Sequence, residues 1–307
     1  MAHPAGSPAR KASPGNVSQI TSRDNRWLKR FRAALSGERD TDGSVGVEGV
    51  RLVEAALGSG LPVEALLISE TGERHLPRVG PVLAATVPVL RTSDKLFAGI
   101  ADTRTPQGIA ALIRPRQATV ENLVSGIALV VVLVGVQDPG NVGTIVRAAE
   151  AFGATGTATC SAGGIGTADP FGPKALRASA GSALRLPIFT SISPSILLAQ
   201  LRVFRVITYA AVAASSGDES KNKNTGTASP LLPPWDIDWK NPAAILIGNE
   251  GSGLPAETVR SADARVYVPQ AAATTAVGIE SLNAAIAASV LLYEAMRQRE
   301  PRRQGTK

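Results

Sequence analysis

The sequence contains little cysteine, little histidine and no long apolar run, and each scarcity excludes a class of protein. The single cysteine, Cys160, excludes an internal disulfide and leaves too few thiolates for a zinc or iron–sulfur site. The two histidines, His3 and His75, supply neither a metal cluster nor an acid–base pair, so we expect no metal. No apolar run approaches the roughly 20 residues that a membrane-spanning helix needs. We therefore expect a cytoplasmic protein without a membrane partner.

The formal net charge of +7 is concentrated at the two ends of the chain. Residues 1–40 carry eight Lys and Arg against three Asp and Glu, and residues 297–307 carry five against one. Basic ends on a nearly neutral body suit a polyanionic partner, nucleic acid first, although solvated tails that aid solubility would have the same composition. We expect a disordered tail over residues 1–18, where prolines interrupt any helix, and a basic tail over residues 301–307.

The pattern of apolar segments divides the chain into two α/β domains. Residues 19–115 alternate short helices with short strands, among them the basic helix RWLKRFRAAL and the strands VEALLIS and GIAALI. Residues 116–126 break the periodicity and are expected to form a linker. Residues 127–300 contain continuous apolar strands such as ALVVVLVGV and AAILIG between helices, which predicts a parallel sheet covered on both faces. The polar, proline-rich residues 214–234 are expected to form a mobile surface loop.

Three loops of the second domain combine polar residues with glycines beyond the carboxyl ends of predicted strands, where open α/β sheets bind their ligands. The first is DPGNVGTIVRAAEAFGA, residues 138–154, and it carries Asn141 and Arg147. Neither residue is needed for packing of the helix that follows. Each also has a simpler interpretation, Asn141 as a helix N-cap and Arg147 as a surface arginine paired with Glu150.

The second loop is ILIGNEGSGLP, residues 245–255, with three glycines within six positions. Such a density of glycine indicates positive φ angles or close approach of a ligand to the backbone. The spacing G-x-x-G-x-G differs from the dinucleotide fingerprint, and Glu250 would repel a phosphate, so we reject a nucleotide-phosphate cradle. A carboxylate there suits hydroxyls, an amino group or neighbouring amides, and a tight turn before the next helix is the alternative.

The third loop precedes the last helix in the stretch ESLNAAIAASVLLYEA. That helix is apolar nearly all round and is expected to be buried. Ser281 and Asn283 stand at its start, where unpaired amides favour an anion; a helix cap would explain Ser281, whereas Asn283, one residue inside the helix, needs a partner. A fourth segment, FGPKALRASAGSALRLP, carries Lys174 and Arg177, which could contact phosphates or could form a solvated helix face.

Together these motifs resemble the SpoU/TrmH branch of the SPOUT methyltransferases, which are RNA ribose 2′-O-methyltransferases. NVGTIVRAAEAFGA, LIGNEGSGL and VP…ESLNAAIAASVLLYEA match the three motifs of that branch in order. Residues 20–113, with VEGVRLVEAAL and DTRTPQGIAAL, resemble the substrate-binding domain of the same family, which is related to RNA-binding ribosomal proteins. One difference is that the chain between Pro269 and Ser281 is several residues longer than is usual in the family.

The resemblance implies a fold, a cofactor and an assembly. The C-terminal SPOUT domain would contain a deep trefoil knot, an exception to the usual absence of knots. S-adenosylmethionine would bind in a bent shape within a homodimer, with the site near the subunit interface. The residues implied in cofactor binding are Leu246, Ile247, Gly248, Asn249, Gly251, Gly253, Val268, Pro269, Gln270, Ile279, Ser281, Leu282 and Asn283.

The resemblance also implies a role for each residue of the site. The catalytic set would be Arg147, Asn141, Glu250, Ser281 and Asn283. Because a guanidinium is effectively never deprotonated, we expect Arg147 to hold a phosphate and stabilise the developing alkoxide rather than act as the base. Asn141 would orient the ribose or Arg147, Glu250 would fix the site and the arginine, and Ser281 and Asn283 would position substrate and cofactor. The residues expected to bind RNA are Lys29, Arg30, Arg32, Lys174 and Arg177.

Other functions fit the sequence less well. A nicotinamide-dependent dehydrogenase would share the parallel sheet, but the first strand lacks G-x-G-x-x-G and no ribose-binding acid follows at the required spacing. A non-catalytic RNA-binding or ribosome-assembly protein that retains the knotted fold is the main alternative, and the lengthened third loop favours it. For the enzyme, ribosomal RNA is the expected substrate in preference to transfer RNA.

Overall fold

The computed structural model describes residues 17–161, 164–213, 229–271 and 281–300. The chain forms two compact units, Met1–Pro115 and Arg116–Lys307. Within the described ranges, no helix combines the length and the apolar character required to cross a membrane. The same ranges contain no group of three or more His, Cys, Asp or Glu side chains that could hold a metal ion.

The first unit is built on a five-stranded mixed sheet in the order β1-β4-β3-β5-β2. Its strands are β1 (Val17–Ile20), β2 (Val45–Glu48), β3 (Val63–Ser69), β4 (Val89–Thr92) and β5 (Ile109–Ile113). Its helices are α1 (Arg26–Leu35), α2 (Val50–Gly58), α3 (Leu76–Val79) and α4 (Asp94–Ala98). Strands β1, β4 and β3 are parallel, whereas β5 runs antiparallel to both β3 and β2. The strand β1 was not predicted, and it includes Val17 and Ser18, which were expected in the tail.

The second unit contains a seven-stranded sheet in the order β10-β12-β9-β11-β6-β7-β8, and every neighbouring pair is parallel. The strands are β6 (Leu129–Val134), β7 (Gly156–Cys160), β8 (Ile188–Ile192), β9 (Ile207–Ala211), β10 (Leu231–Leu232), β11 (Ala243–Ile247) and β12 (Ala264–Val266). The helices are α5 (Val120–Leu123), α6 (Pro139–Ala151), α7 (Pro173–Ala178), α8 (Pro194–Val203), α9 (Ala256–Ser261) and α10 (Ala284–Arg299). The predicted α/β fold with a parallel sheet is confirmed.

Buried side chains cover this sheet on both faces. On one face α6 and α10 pack with the fully buried Trp239, and on the other α5 and α8 pack against the alternate residues of β6 and β11. The expected linker therefore contains a packed helix, since Leu123 of α5 is fully buried. Of the expected surface loop, residues 214–228 lie outside the described ranges, and β10 occupies part of the remainder.

Helix α10 and Cys160 differ in how far they are buried. The helix α10 is not buried all round, because Ile286 and Tyr293 are 55% and 51% exposed on one face. Cys160 at the end of β7 is buried, and burial raises the pKa of its thiol to about 12. Because the thiolate is the reactive form, this cysteine is chemically inert at neutral pH.

Candidate active site

The loop after β6 turns into α6 through an aspartate. Asp138 is the N-cap of α6, and its side chain accepts a hydrogen bond from the Gly140 amide at 3.0 Å. Pro139 occupies the first helical position, where its missing N–H carries no cost. Asn141 is therefore the third residue of the helix, and its interpretation as the N-cap is wrong. Its side chain is left for other contacts.

Glu250 joins the loop after β11 to the start of α6. Its carboxylate accepts hydrogen bonds from the backbone amides of Gln137 and Asp138, both at 3.1 Å, and from Asn141 Nδ2 at 2.9 Å. Partial burial by itself raises the pKa of Glu250, but the Asn141 and backbone hydrogen bonds outweigh it and lower the pKa below its usual value. Glu250 is thus an ionised acceptor at neutral pH.

The loop that carries Glu250 is held in shape by its neighbour Asn249. The Asn249 amide group donates to the Gly135 carbonyl at 2.9 Å, and its oxygen accepts from the Gly251 and Ser252 amides at 2.9 and 3.0 Å. The turn is tight at Gly248, where a Cβ atom would overlap the backbone of Gly253. The predicted positive φ is found at Gly253, whose φ is 69°. At Gly248 it is the Gly253 backbone that approaches closely.

Asn283 is the N-cap of α10. Its Oδ1 accepts hydrogen bonds from the amides of Ala285 and Ile286 at 2.9 and 3.3 Å. The expectation that Ser281 caps the helix is wrong, as is the placement of Asn283 one residue inside it. The predicted partner does exist, because Asn283 Nδ2 donates to Asn141 Oδ1 at 3.1 Å.

A cavity of about 380 Å³ lies beside these loops at the carboxyl ends of β9, β11 and β12. Predicted cofactor residues that line it are Ile247, Gly248, Asn249, Gly251, Gly253, Val268, Gln270, Ser281 and Leu282. Leu246, Pro269 and Asn283 are not among its lining residues, and Leu246 is instead buried in the core on the face of α5 and α8. Ile279 lies outside the described residues.

Sequence reasoning missed part of the cavity wall. The unpredicted lining residues include Ala211–Ala213, Ser252, Leu254, Val259 and Leu291. The segment Ala211–Ala213 begins at the last residue of β9, and residues at the carboxyl ends of parallel strands are the ones expected to line a ligand site. Val259 and Leu291 lie on helices, and no local pattern distinguishes them from ordinary core residues.

Arg147 lies on α6, exposed to solvent. Its expected ion pair with Glu150 is not formed, because Glu150 binds Arg185 through two hydrogen bonds of 2.6 and 2.7 Å. Within the described part of the chain, the Arg147 guanidinium has no hydrogen-bond or ion-pair partner. The side chain is therefore available to an anion.

The cations expected to bind RNA fall into two groups. Lys29 pairs with Asp24 at 3.2 Å, and Lys174 pairs with Asp138 at 2.6 Å. Arg30 is held by Asp40 and Glu64, each at 2.7 Å. By exposure, Arg30 forms one group because it is half-buried, and the other group, which is exposed, comprises Lys29, Arg32, Lys174 and Arg177.

Comparison with known proteins agrees with the architecture of both units. Residues 128–293 match the SpoU rRNA Methylase family, and residues 32–111 match the MRM3-like substrate binding domain. The chain belongs to the SpoU rRNA methylase family, as its motifs predicted.

Relatives of this chain include two named methyltransferases. The 23S rRNA (guanosine(2553)-2'-O)-methyltransferase RlmP of Bacillus subtilis is 31% identical, over 90% of this chain and 98% of the relative. The 23S rRNA (uridine(2479)-2'-O)-methyltransferase of Streptomyces viridochromogenes is 31% identical, over 92% of each chain. Among solved structures, the AdoMet-bound rRNA methyltransferase from Sinorhizobium meliloti is 30% identical with a TM-score of 0.74, over 94% of this chain and 100% of that one.

Proposed function

We propose that this protein transfers a methyl group from S-adenosylmethionine to a ribose 2′-hydroxyl of structured RNA, ribosomal RNA in preference to transfer RNA. The observation that carries the proposal is the meeting of the three motif residues Asn141, Glu250 and Asn283 in one hydrogen-bonded group. Relatives over nearly the whole chain are named for 2′-O-methylation of 23S rRNA, which supports ribosomal RNA as the substrate.

The cavity suits this cofactor. Its volume of about 380 Å³ is in the range of small-molecule sites, and its walls combine apolar side chains with the glycine-rich residues 248–253. Of the described residues that line it, none is Lys or Arg, and Glu250 is the only ionisable one. A site with one carboxylate and no cation disfavours a phosphorylated cofactor and favours one that carries a cationic sulfonium.

The residues of the site have separate roles in the proposed reaction. The cofactor, when bound, supplies an electrophilic methyl group. Arg147 holds a phosphate of the RNA and stabilises the charge that develops on the ribose oxygen, since its guanidinium is exposed and free of partners among the described residues. Asn141 orients the ribose. Glu250 already accepts three hydrogen bonds and its pKa is lowered, so it fixes the loops rather than acting as the base. A phosphate oxygen or a water molecule takes the proton of the 2′-hydroxyl.

The assembly implied by the family is also part of the proposal. We propose a homodimer through the face of α10 that exposes Ile286, Val290 and Tyr293, because apolar side chains aligned on one helix face are typical of an interface. We propose a trefoil knot in the second unit, as its membership of the SpoU family implies. A cytoplasmic location follows if the substrate is bacterial ribosomal RNA, as for the Bacillus relative.

The first test is calorimetric titration of S-adenosylmethionine into the wild-type protein and two glycine variants. We expect micromolar binding by the wild type. Gly248→Ala should weaken binding roughly 10- to 100-fold, because the added methyl overlaps the Gly253 backbone and opens the turn. Gly166→Ala is the matched control, since Gly166 is a glycine of the same unit outside the described cavity lining and a Cβ atom there would meet nothing within 4 Å.

Cofactor binding and methyl transfer together distinguish the proposed enzyme from a non-catalytic RNA-binding protein. When the cofactor binds, we expect labelled methyl groups to be transferred from it to rRNA. The label should then be recovered in alkali-resistant dinucleotides. If the wild-type protein does not bind the cofactor even with RNA present, the proposal is wrong and the non-catalytic RNA-binding function is favoured.

The second test concerns the cations of α1. Arg32→Ala should reduce the salt dependence of RNA affinity by roughly one unit of slope without lowering stability. Arg30→Ala should instead lower the free energy of unfolding by about 1–2 kcal/mol, because it breaks the bonds to Asp40, Glu64 and Ser44. Filter binding over a salt series and thermal unfolding measure the two effects. An unchanged slope in Arg32→Ala would exclude contact between Arg32 and an RNA phosphate.

A further inference from the structure

The second unit contains a hydrogen-bonded chain of two amides that ends on a carboxylate, which we call the amide relay. Asn283 Nδ2 donates to Asn141 Oδ1 at 3.1 Å, and Asn141 Nδ2 donates to Glu250 Oε1 at 2.9 Å. The three residues come from three different segments, the start of α10, the first turn of α6 and the loop after β11. The relay therefore connects every motif of the site.

The direction of the relay is fixed at both of its ends. An ionised carboxylate only accepts hydrogen bonds, so Asn141 must turn its NH₂ group toward Glu250 and its oxygen toward Asn283. At the other end, the amides of Ala285 and Ile286 only donate, so Asn283 must turn its oxygen toward them and its NH₂ group toward Asn141. Neither side chain can rotate by 180° without placing two like groups against each other.

Asn283 has little capacity left for a ligand. Its oxygen already accepts two backbone hydrogen bonds, and one of its two N–H groups is used by Asn141. It is also absent from the described lining of the cofactor cavity. Asn141 likewise retains one N–H, but its oxygen accepts only one of the described hydrogen bonds. It lies six residues, about 1.7 helical turns, before Arg147 on α6.

We infer that Asn283 is a positioning residue that acts on methyl transfer through Asn141, by holding the Asn141 amide in the one orientation that the ribose requires. The inference rests on the proposed function, because it assigns a role within that reaction. It differs from a direct role of Asn283 in binding RNA or cofactor. A misplaced orienting group is costly, since small errors in alignment can lower a rate by about 10²-fold.

Asn283→Asp separates the capping role of Asn283 from its role in the relay. Aspartate is as good an N-cap as asparagine, and its charge favours a helix N-terminus, so the unfolding temperature should not fall. The carboxylate cannot donate to Asn141, however, and it repels the Asn141 oxygen. We expect kcat to fall about 10- to 100-fold while cofactor affinity changes less than about 3-fold. Asn283→Ala, which also loses the cap, should lower the unfolding temperature as well.

A double-mutant cycle decides whether the effect passes through Asn141. In the Asn141→Ala background, Asn283→Asp should lower kcat by less than about 3-fold, because the group that it misplaces is gone. Equal fold losses in both backgrounds would overturn the inference and assign Asn283 a contact of its own with RNA. If the wild-type protein does not methylate rRNA, the proposed function and the inference are both wrong. If the wild type is active and the cycle shows equal losses, only the inference is wrong.

Discussion

Replacement of Arg147 by alanine is expected to lower the turnover of methyl transfer by roughly 10²- to 10³-fold, the usual effect of removing one group that stabilises a developing oxyanion. Single-turnover kinetics with saturating RNA and cofactor measure this loss. The affinity for S-adenosylmethionine should be nearly unchanged, because Arg147 is not among the described residues that line the cavity. Stability should also be unchanged, since the exposed guanidinium has no partner in the described part of the chain.

Two further variants make the prediction specific to the position and to the guanidinium. Arg185→Ala is the matched control, because Arg185 is also an arginine against α6 but is bound to Glu150, so its loss should leave kcat within a few-fold of wild type. Arg147→Lys keeps the charge but not the planar donor pair, and it should recover only part of the rate. Turnover of Arg147→Ala at the wild-type level would show that the arginine has no part in the chemistry.

Replacement of Arg299 by methionine is expected to lower the free energy of unfolding by about 2–4 kcal/mol. Arg299 ends α10 and donates to four backbone carbonyls, those of Trp239 at 2.6 Å, Ala128 at 2.8 Å, and Ile127 and Asn241 at 2.9 Å. Desolvation lowers the pKa of Arg299, yet an arginine stays protonated in proteins. Methionine keeps the apolar stem but leaves these carbonyls without their donor.

Thermal unfolding followed by circular dichroism measures this effect, with an expected decrease of roughly 5–15 °C in the transition of the second unit. Arg297→Met is the control two residues away, because the half-exposed Arg297 pairs, among the contacts described, only with Glu294 one turn earlier on α10. It should leave the transition nearly unchanged. Equal stability of the Arg299 and Arg297 variants would mean that water replaces the guanidinium at the carbonyls without cost.

The larger elements of the fold were predictable because their signals are local. Continuous apolar runs such as Leu129–Val134 and Ala243–Ile247 are typical of parallel strands buried on both faces, and both form central strands. The strands that were missed, β1, β2, β8 and β10, are short or partly polar and lie at the edges of the two sheets. The strand β2 contains Gly46, which a sequence pattern treats as a breaker. Glycine is needed at position 46 because the backbone of α1 lies against it and leaves no room for a Cβ atom.

The members of the candidate site were predictable from motifs, but their contacts were not. Whether Asn283 caps α10 or lies inside it depends on a shift of two residues in the helix start, which sequence patterns rarely settle. The ion pairs that bind Arg30 join it to residues 10 and 34 positions away, and no periodicity reports such distances. Likewise, the partner of Glu150 is Arg185 in the segment after α7 rather than Arg147 on its own helix.

The burial of Cys160 makes the protein convenient for site-directed labelling. The sequence contains no other cysteine, and a thiol with its pKa raised to about 12 reacts slowly with maleimides at neutral pH. A cysteine introduced at an exposed position, such as Val203, would then be the one thiol that takes up a fluorophore, without prior removal of the native one. Spectroscopic distances along bound RNA, and between the protomers of the proposed homodimer, can then be measured on an otherwise unaltered chain.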